Sequence, residues 1–340
     1  MAVRDGRGDV KQTTTGFRGP LMVQSLTSAK SKFLSLTKRQ LKMKLIKQLI
    51  KFCIRLPGKV LISAFFVYEK VVNKVFPQLD LIREDLIDVI DKDVREVCHQ
   101  NPNQQIRFKL YTPNTICAYR YNTFSSKEPE MLEWIDEYGG EGVFYDIGAN
   151  IGIYSLYYAK SKTGSVYSFE PSVFNLRQLA KNISINTMND RITVVSNPLS
   201  NITGIATFTN GSADEGGALS AFGVEYGYDG KPINSDIKYS VVGFSLDDLL
   251  KNGAISKAPS LIKIDVDGIE HLILSGAKNT LANDSLKSIF IEVNDDFEEQ
   301  SVSVKRLLES AGFTLKEKRQ SDMMEGSLLF GRCYNQIWVR

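Results

Sequence analysis

The sequence predicts an α/β protein: a doubly wound, mostly parallel sheet with an antiparallel last strand, preceded by a helical N-terminal extension. Three observations predict it. Val143 to Ile147 is a short apolar run that meets the turn Gly148-Ala149-Asn150-Ile151-Gly152 and then a helical pattern, as a buried strand does where the backbone must pass close to something. Val166 to Phe169 repeats the apolar run and ends in Glu170-Pro171. From there strand-like and helix-like segments alternate almost to the C-terminus, the signature of βαβ units.

Taken in order, residues 1–40 mix Thr, Ser, Gly, Arg and Lys without a period and read as a disordered basic tail. Leu41 to Arg55 is amphipathic at 100° per residue, with Lys44, Lys47, Lys51 and Arg55 on one face and Leu45, Ile46, Leu49, Ile50, Phe52 and Cys53 on the other. Pro57-Gly58 ends it, and the apolar run Val60 to Tyr68 is far shorter than the roughly 20 residues that span a bilayer. Leu79 to Cys98 reads as a second amphipathic helix, completing an extension over residues 41–100. The main domain then occupies 101–340. Ile106 to Tyr111 and Thr115 to Tyr121 read as short strands, and Glu130 to Tyr138 as a helix stopped by Gly139-Gly140.

Past Val143 the expected strands are Val143–Ile147, Val166–Phe169, Ile192–Ser196, Leu261–Val266 and Ser288–Val293, with helices from Gly152, Val173, Ile269 and Val302 between them. Ile205–Thr209 and Tyr239–Phe244 are added strands flanking a long Gly-rich loop, Asn210 to Asp236, which is a candidate substrate lid. Ser245 caps a short helix, and Thr314–Lys318 and Asn335–Val339 finish the sheet.

Composition narrows the chemistry. Cys53, Cys98, Cys117 and Cys333 form no C-x-x-C pair, so neither a disulfide framework nor a cysteine metal site is indicated, and a reducing cytoplasm is the expected home. With His99 and His271 the only histidines, a multi-histidine zinc site or a Ser-His-Asp triad has little to build on. Residues 1–76 carry 16 Lys/Arg against 3 Asp/Glu, while the rest of the chain holds 26 against 36. A basic arm on an acidic body is expected to meet something anionic. Peripheral contact with an anionic membrane through residues 41–55 is one such expectation; nucleic acid is not expected.

The motif itself runs Asp146-x-Gly148-x-Asn150-x-Gly152. The G-x-G-x-x-G of dinucleotide sites is absent, and Glu170 stands 22 residues past Gly148, where an acid can accept ribose hydroxyls. This resembles the first motif of class I S-adenosylmethionine-dependent methyltransferases, whose sheet is Rossmann-like. The form Asp-Ile-Gly-Ala-Asn-Ile-Gly is similar to that of the FkbM family. Lys263-Ile264-Asp265-Val266-Asp267-Gly268-Ile269-Glu270 resembles that family's Lys-Ile-Asp-Val-Glu-Gly-x-Glu motif, with Asp267 replacing the usual Glu.

The resemblance implies methyl transfer from S-adenosylmethionine, held by Asp146, Gly148, Asn150, Gly152 and Glu170, with Ser196 and Asn197 near the adenine. The implied acceptor is a hydroxyl of a sugar, glycan or secondary metabolite. Asp265, Asp267, Glu270 and Glu292 are the candidate catalytic acids, Asp265 first; Glu270 is as well suited to orienting the helix that follows it. Lys263, in an apolar strand, needs an acidic partner. Some oxygen methyltransferases also bind magnesium at these strand ends, but polar groups there more often serve hydrogen bonding, and no metal ligand is assigned. The rival readings are an NAD(P)-dependent oxidoreductase on a similar sheet and a membrane-tethered binding module without turnover.

Overall fold

The structure, a computed structural model, describes residues 55–72, 74, 81–320 and 332–340, and the chain divides into two compact units, Met1–Glu84 and Asp85–Arg340. In the first, residues 55–72 are helical (α1) and Val60, Leu61, Ile62, Phe66, Val67 and Val71 are all exposed. Apart from Arg55, the amphipathic helix expected over 41–55 lies outside the described residues, as does the tail.

Two early elements differ from the sequence reading. The helix α2 (Leu81–Asp91) stops before Val94–Gln100, which is a strand (β1) paired antiparallel with β2 (Gln105–Tyr111), Val94 facing Tyr111 and Gln100 facing Gln105. The hairpin buries alternate residues, Val97 from one strand and Ile106, Phe108 and Leu110 from the other, a period of two that only a strand can offer to one surface. Thr115 to Tyr121 belongs to a helix, α3 (Thr115–Thr123). The Asn114 side chain caps it by accepting the Cys117 N–H at 2.8 Å, and this cap outweighs the β-branched and aromatic content that suggested a strand.

The main sheet is built from β3 (Phe144–Ile147), β4 (Val166–Phe169), β5 (Ile192–Val195), β9 (Leu261–Ile264), β10 (Ser288–Asn294), β11 (Thr314–Arg319) and β12 (Cys333–Val339). Their order is β11-β12-β10-β9-β3-β4-β5. The strands β10, β9, β3, β4 and β5 run parallel, and β12 lies antiparallel between β10 and β11. A separate three-stranded sheet, β7-β6-β8, joins β6 (Gly204–Thr209), β7 (Ala221–Phe222) and β8 (Lys238–Gly243).

The parallel strands β3, β4, β9 and β10 bury both faces, while the edge strand β5 leaves Thr193 and Val194 exposed. Phe144, Val166, Leu261 and Phe290 share a core with Trp134 of α4 (Pro129–Tyr138), Tyr157 of α5 (Ile153–Ser161) and Leu179 of α6 (Val173–Ile185). Tyr145, Ile147, Ile262, Ile264 and Ile291 face the other core, with Leu249 of α7 (Leu246–Lys251), Ile273 of α8 (Glu270–Ser275), Leu281 of α9 (Lys278–Leu281) and Leu308 of α10 (Glu298–Ser310). The single helix expected over Ile269–Leu281 breaks into α8 and α9 at Gly276, where a Cβ would stand 2.3 Å from the Ser200 carbonyl oxygen. Chain progression reverses between β3 and β9, so a crevice opens at the C-terminal ends of those two strands.

Buried amides join the hairpin to this frame. Asn182 of α6 accepts the Tyr111 N–H and donates to the Ile151 carbonyl, both at 2.9 Å. Replacing Asn182 by Ala orphans two buried backbone groups, so we expect a loss of about 2–4 kcal/mol, read from the urea unfolding midpoint. An unchanged midpoint would mean the amide only fills space.

Candidate active site

A cavity of about 470 Å³ occupies the crevice. Its floor begins with the turn after β3. Asp146 is fully buried, accepts from the Ser155 hydroxyl at 2.6 Å and stands 3.3 Å from the Lys263 ammonium, its neighbour across the β3–β9 pair. The Lys263 ammonium donates to the Gly148 carbonyl at 2.8 Å and lies 3.6 Å from Asp265. Burial opposes that charge, but Asp146, Asp265 and Glu128 outweigh it and hold the ammonium above its usual pKa. Gly148 has a φ of 83°, and a Cβ there would sit 1.9 Å from the Asp265 carbonyl oxygen, so no other residue fits.

Asn150, at a φ of 52°, gives its N–H to one Glu170 oxygen at 2.8 Å, and Ser172 gives its own N–H to the other at 2.8 Å. Burial raises the Glu170 carboxyl to about 7, against the pull of those hydrogen bonds. The roof is the segment before and into β7. Arg120 donates to the Gly216 carbonyl at 2.7 and 2.8 Å, Asn150 to the Gly217 carbonyl at 2.7 Å, and Asn175 accepts the Gly216 N–H at 2.9 Å.

Of the residues singled out in the sequence, Gly148, Asn150, Glu170, Asn197, Lys263, Asp265, Asp267 and Glu292 line the cavity, while Asp146, Gly152, Ser196 and Glu270 do not. Asp146 meets the site only through Lys263. Gly152, at a φ of 84°, leaves room for Leu179 of α6, whose Cδ1 a Cβ would approach to 2.5 Å. Ser196 is exposed, and the Asn197 amide donates to the Val242 carbonyl at 2.9 Å. Asp267, in the left-handed region at a φ of 64°, accepts the Leu219 N–H at 2.6 Å and so ties the roof to the floor. Burial and the Asp265 charge raise its carboxyl to about 6. Glu270 collects the N–H groups of Val266 at 3.0 Å and Gly268 at 3.1 Å and the amide of Gln300, fixing the loop into α8.

Sequence reasoning passed over Lys127 and Tyr154, and it noted Arg120 and Glu128 only in the run ahead of the first motif that resembles FkbM-like sequences. Glu128, ahead of Pro129 at the start of α4, is buried on the cavity wall, paired with Lys127 at 2.5 Å and accepting from the Tyr154 hydroxyl at 2.5 Å. Its partner Tyr154 comes from a different helix, α5, which no spacing reveals. Among the described residues no group of three or more His, Cys, Asp or Glu side chains is placed to hold a metal ion.

The Glu270 carboxyl, raised to about 7 by burial from an ordinary 4.5, makes stability depend on pH. A carboxyl that keeps its proton longer when folded stabilises fully below the unfolded pKa, and that stabilisation is lost as pH rises through the folded value. Wild-type Tm minus that of Glu270→Gln should therefore fall between about pH 5 and pH 8. A pH-independent difference would contradict a buried, protonated Glu270.

Comparison with known proteins places the chain among methyltransferases. Hexuronic acid methyltransferase AglP of Haloferax volcanii is 25% identical over 199 residues, covering 58% of this chain and 73% of that protein. The crystal structure of methyltransferase FkbM from Methylobacillus flagellatus aligns at 15% identity and a TM-score of 0.40, over 62% of this chain and 50% of that one. Aeropyrum pernix fibrillarin, solved with S-adenosyl-L-methionine, aligns at 12% identity and a TM-score of 0.41, over 74% and 86%. The methyltransferase FkbM domain model matches residues 146–315, from the buried aspartate of β3 into β11, and on that match the chain belongs to the FkbM methyltransferase family.

Proposed function

We propose that this methyltransferase carries the methyl group of S-adenosylmethionine to a hydroxyl of a sugar or glycan. The observation that carries the reading is the charge and shape of the cavity. Five carboxylates, Glu128, Glu170, Asp265, Asp267 and Glu292, line it against three cations, Arg120, Lys127 and Lys263, around a floor of bare backbone at Gly148. That balance suits a cofactor bearing a sulfonium and an ammonium. The AglP name, a methyltransferase of a sugar acid, supports the acceptor class.

The cofactor, when bound, supplies an electrophilic methyl group. The backbone of Gly148 to Asn150 would hold its amino-acid part, the Glu170 carboxylate its ribose, and Asn197 with the apolar wall of Leu199 and Phe222 its adenine. Lys263 keeps the Asp265 carboxylate at the end of β9, placed to orient an acceptor hydroxyl. The roof from Gly216 to Phe222 would limit the access of water, which would compete as an acceptor. Titration calorimetry should show S-adenosylmethionine binding and no NADH binding, with Glu170→Ala weakening the former by about tenfold or more, as losing a charge-assisted hydrogen bond does. Preference for NADH would overturn the assignment.

We also infer that the first unit lies against an anionic membrane surface. The exposed apolar side chains of α1 accompany 16 Lys/Arg against 3 Asp/Glu over residues 1–76, and among the described residues no helix is long and apolar enough to cross a membrane. Apolar insertion plus basic attraction is how interfacial helices bind. The full chain should co-sediment with phosphatidylcholine vesicles containing phosphatidylglycerol, and Phe66→Glu with Val67→Glu should release it. No co-sedimentation of the unaltered chain would defeat the inference.

A further inference from the structure

Four of the five carboxylates on the cavity wall are already engaged. Glu170 accepts two backbone N–H groups, Asp267 accepts from Leu219 and Ser220, Glu128 is held by Lys127 and Tyr154, and Asp265 is drawn to Lys263. Glu292 is the exception. It lies near the end of β10, two residues beyond the Phe290 that faces Lys263 across the β9–β10 pair, so its side chain shares the Lys263 face of the sheet. It lines the cavity, and among the described residues no hydrogen-bond donor or ion-pair partner reaches its carboxylate. Opposite it on β12 stands Asn335, whose amide is given to Glu130 at 2.9 Å, and Cys333 lies two residues away on that strand.

We propose that Glu292 is the catalytic base, taking the proton of the acceptor hydroxyl during methyl transfer. The proposal rests on the methyltransferase reading above. In the step, the acceptor oxygen forms a bond to the methyl carbon, the carbon–sulfur bond breaks with its electron pair left on sulfur, and the hydroxyl proton passes to the Glu292 carboxylate. Asp265, pinned by Lys263, orients the hydroxyl; Glu292, without a donor of its own, has lone pairs free to receive it.

The surroundings raise its basicity. Burial, then the charges of Asp265, Glu128 and Asp267, push the Glu292 carboxyl well above the carboxylate range, with Lys127 opposing. A carboxyl of this kind gives up its proton less readily than an ordinary one, and the positive charge of a bound sulfonium favours its release. The base is thereby armed when the methyl donor is present.

The test needs no acceptor. Calorimetry near neutral pH in two buffers of different ionisation enthalpy counts protons exchanged on binding. The unaltered protein should release more protons on binding S-adenosylmethionine than on binding S-adenosylhomocysteine, which lacks the sulfonium charge. In Glu292→Gln both ligands should still bind and the difference should shrink to what Glu170 and Asp267, the other raised carboxyls of the cavity, release, whereas Glu292→Asp should retain it in full. A difference undiminished in Glu292→Gln, or none in the unaltered protein although both ligands bind, would overturn the proposal. Failure of either ligand to bind the unaltered protein would instead overturn the cofactor reading beneath it. In methyl transfer to a sugar hydroxyl, Glu292→Gln should lower kcat by about 10²–10⁴-fold, the usual contribution of a general base, with KM for the donor little changed. A variant with unaltered kcat would likewise refute the base.

Discussion

The Lys263 ammonium holds the site together. It is almost fully buried in the middle of the sheet, and the carboxylates of Asp146 and Asp265, the carbonyl of Gly148 and the nearby charge of Glu128 make that tolerable. Those three contacts reach the two parallel strands that flank the crevice and the turn between strand and helix. Removing either acid would leave a buried charge without full compensation, which costs far more than the pair itself contributes. The backbone that would face a cofactor is thus fixed from beneath, by an interaction that never touches the cavity through Asp146.

Much of this arrangement was legible in the sequence. Apolar runs bounded by Gly-rich turns located every parallel strand, because a strand buried on both faces has nowhere to place polar residues except at its ends. The acids at those ends were legible for the same reason. What escaped were contacts between segments distant in the chain. Glu128 and Tyr154 meet from two helices, and the roof reaches Arg120, Asn150 and Asn175 from another region altogether. The misread Thr115 to Tyr121 shows the opposite limit: composition pointed to a strand, and one Asn cap decided for a helix.

Motif residues also divide by what they do. Gly148 and Glu170 stand on the cavity wall, whereas Asp146, Gly152 and Glu270 shape the backbone behind it. A motif can therefore be diagnostic of a family while several of its side chains never meet a ligand. Asp267 belongs to both groups, lining the cavity and holding the roof by the Leu219 N–H.

The roof is anchored in an unusual division of labour. The groups it offers to the body at Gly216, Gly217 and Leu219 are all main-chain carbonyls and amides, while the gripping side chains, Arg120, Asn150, Asn175 and Asp267, belong to the body. Ser220 accepts the Gly211 N–H through its hydroxyl and Phe222 is buried in the core, whereas Ala218 and Leu219 line the cavity with side chains free of anchoring duty. Descendants of this sequence can exchange those side chains, and with them the shape presented to an acceptor, while the roof stays docked. Substrate range can diversify in such a scaffold without re-evolving the closure over the reaction.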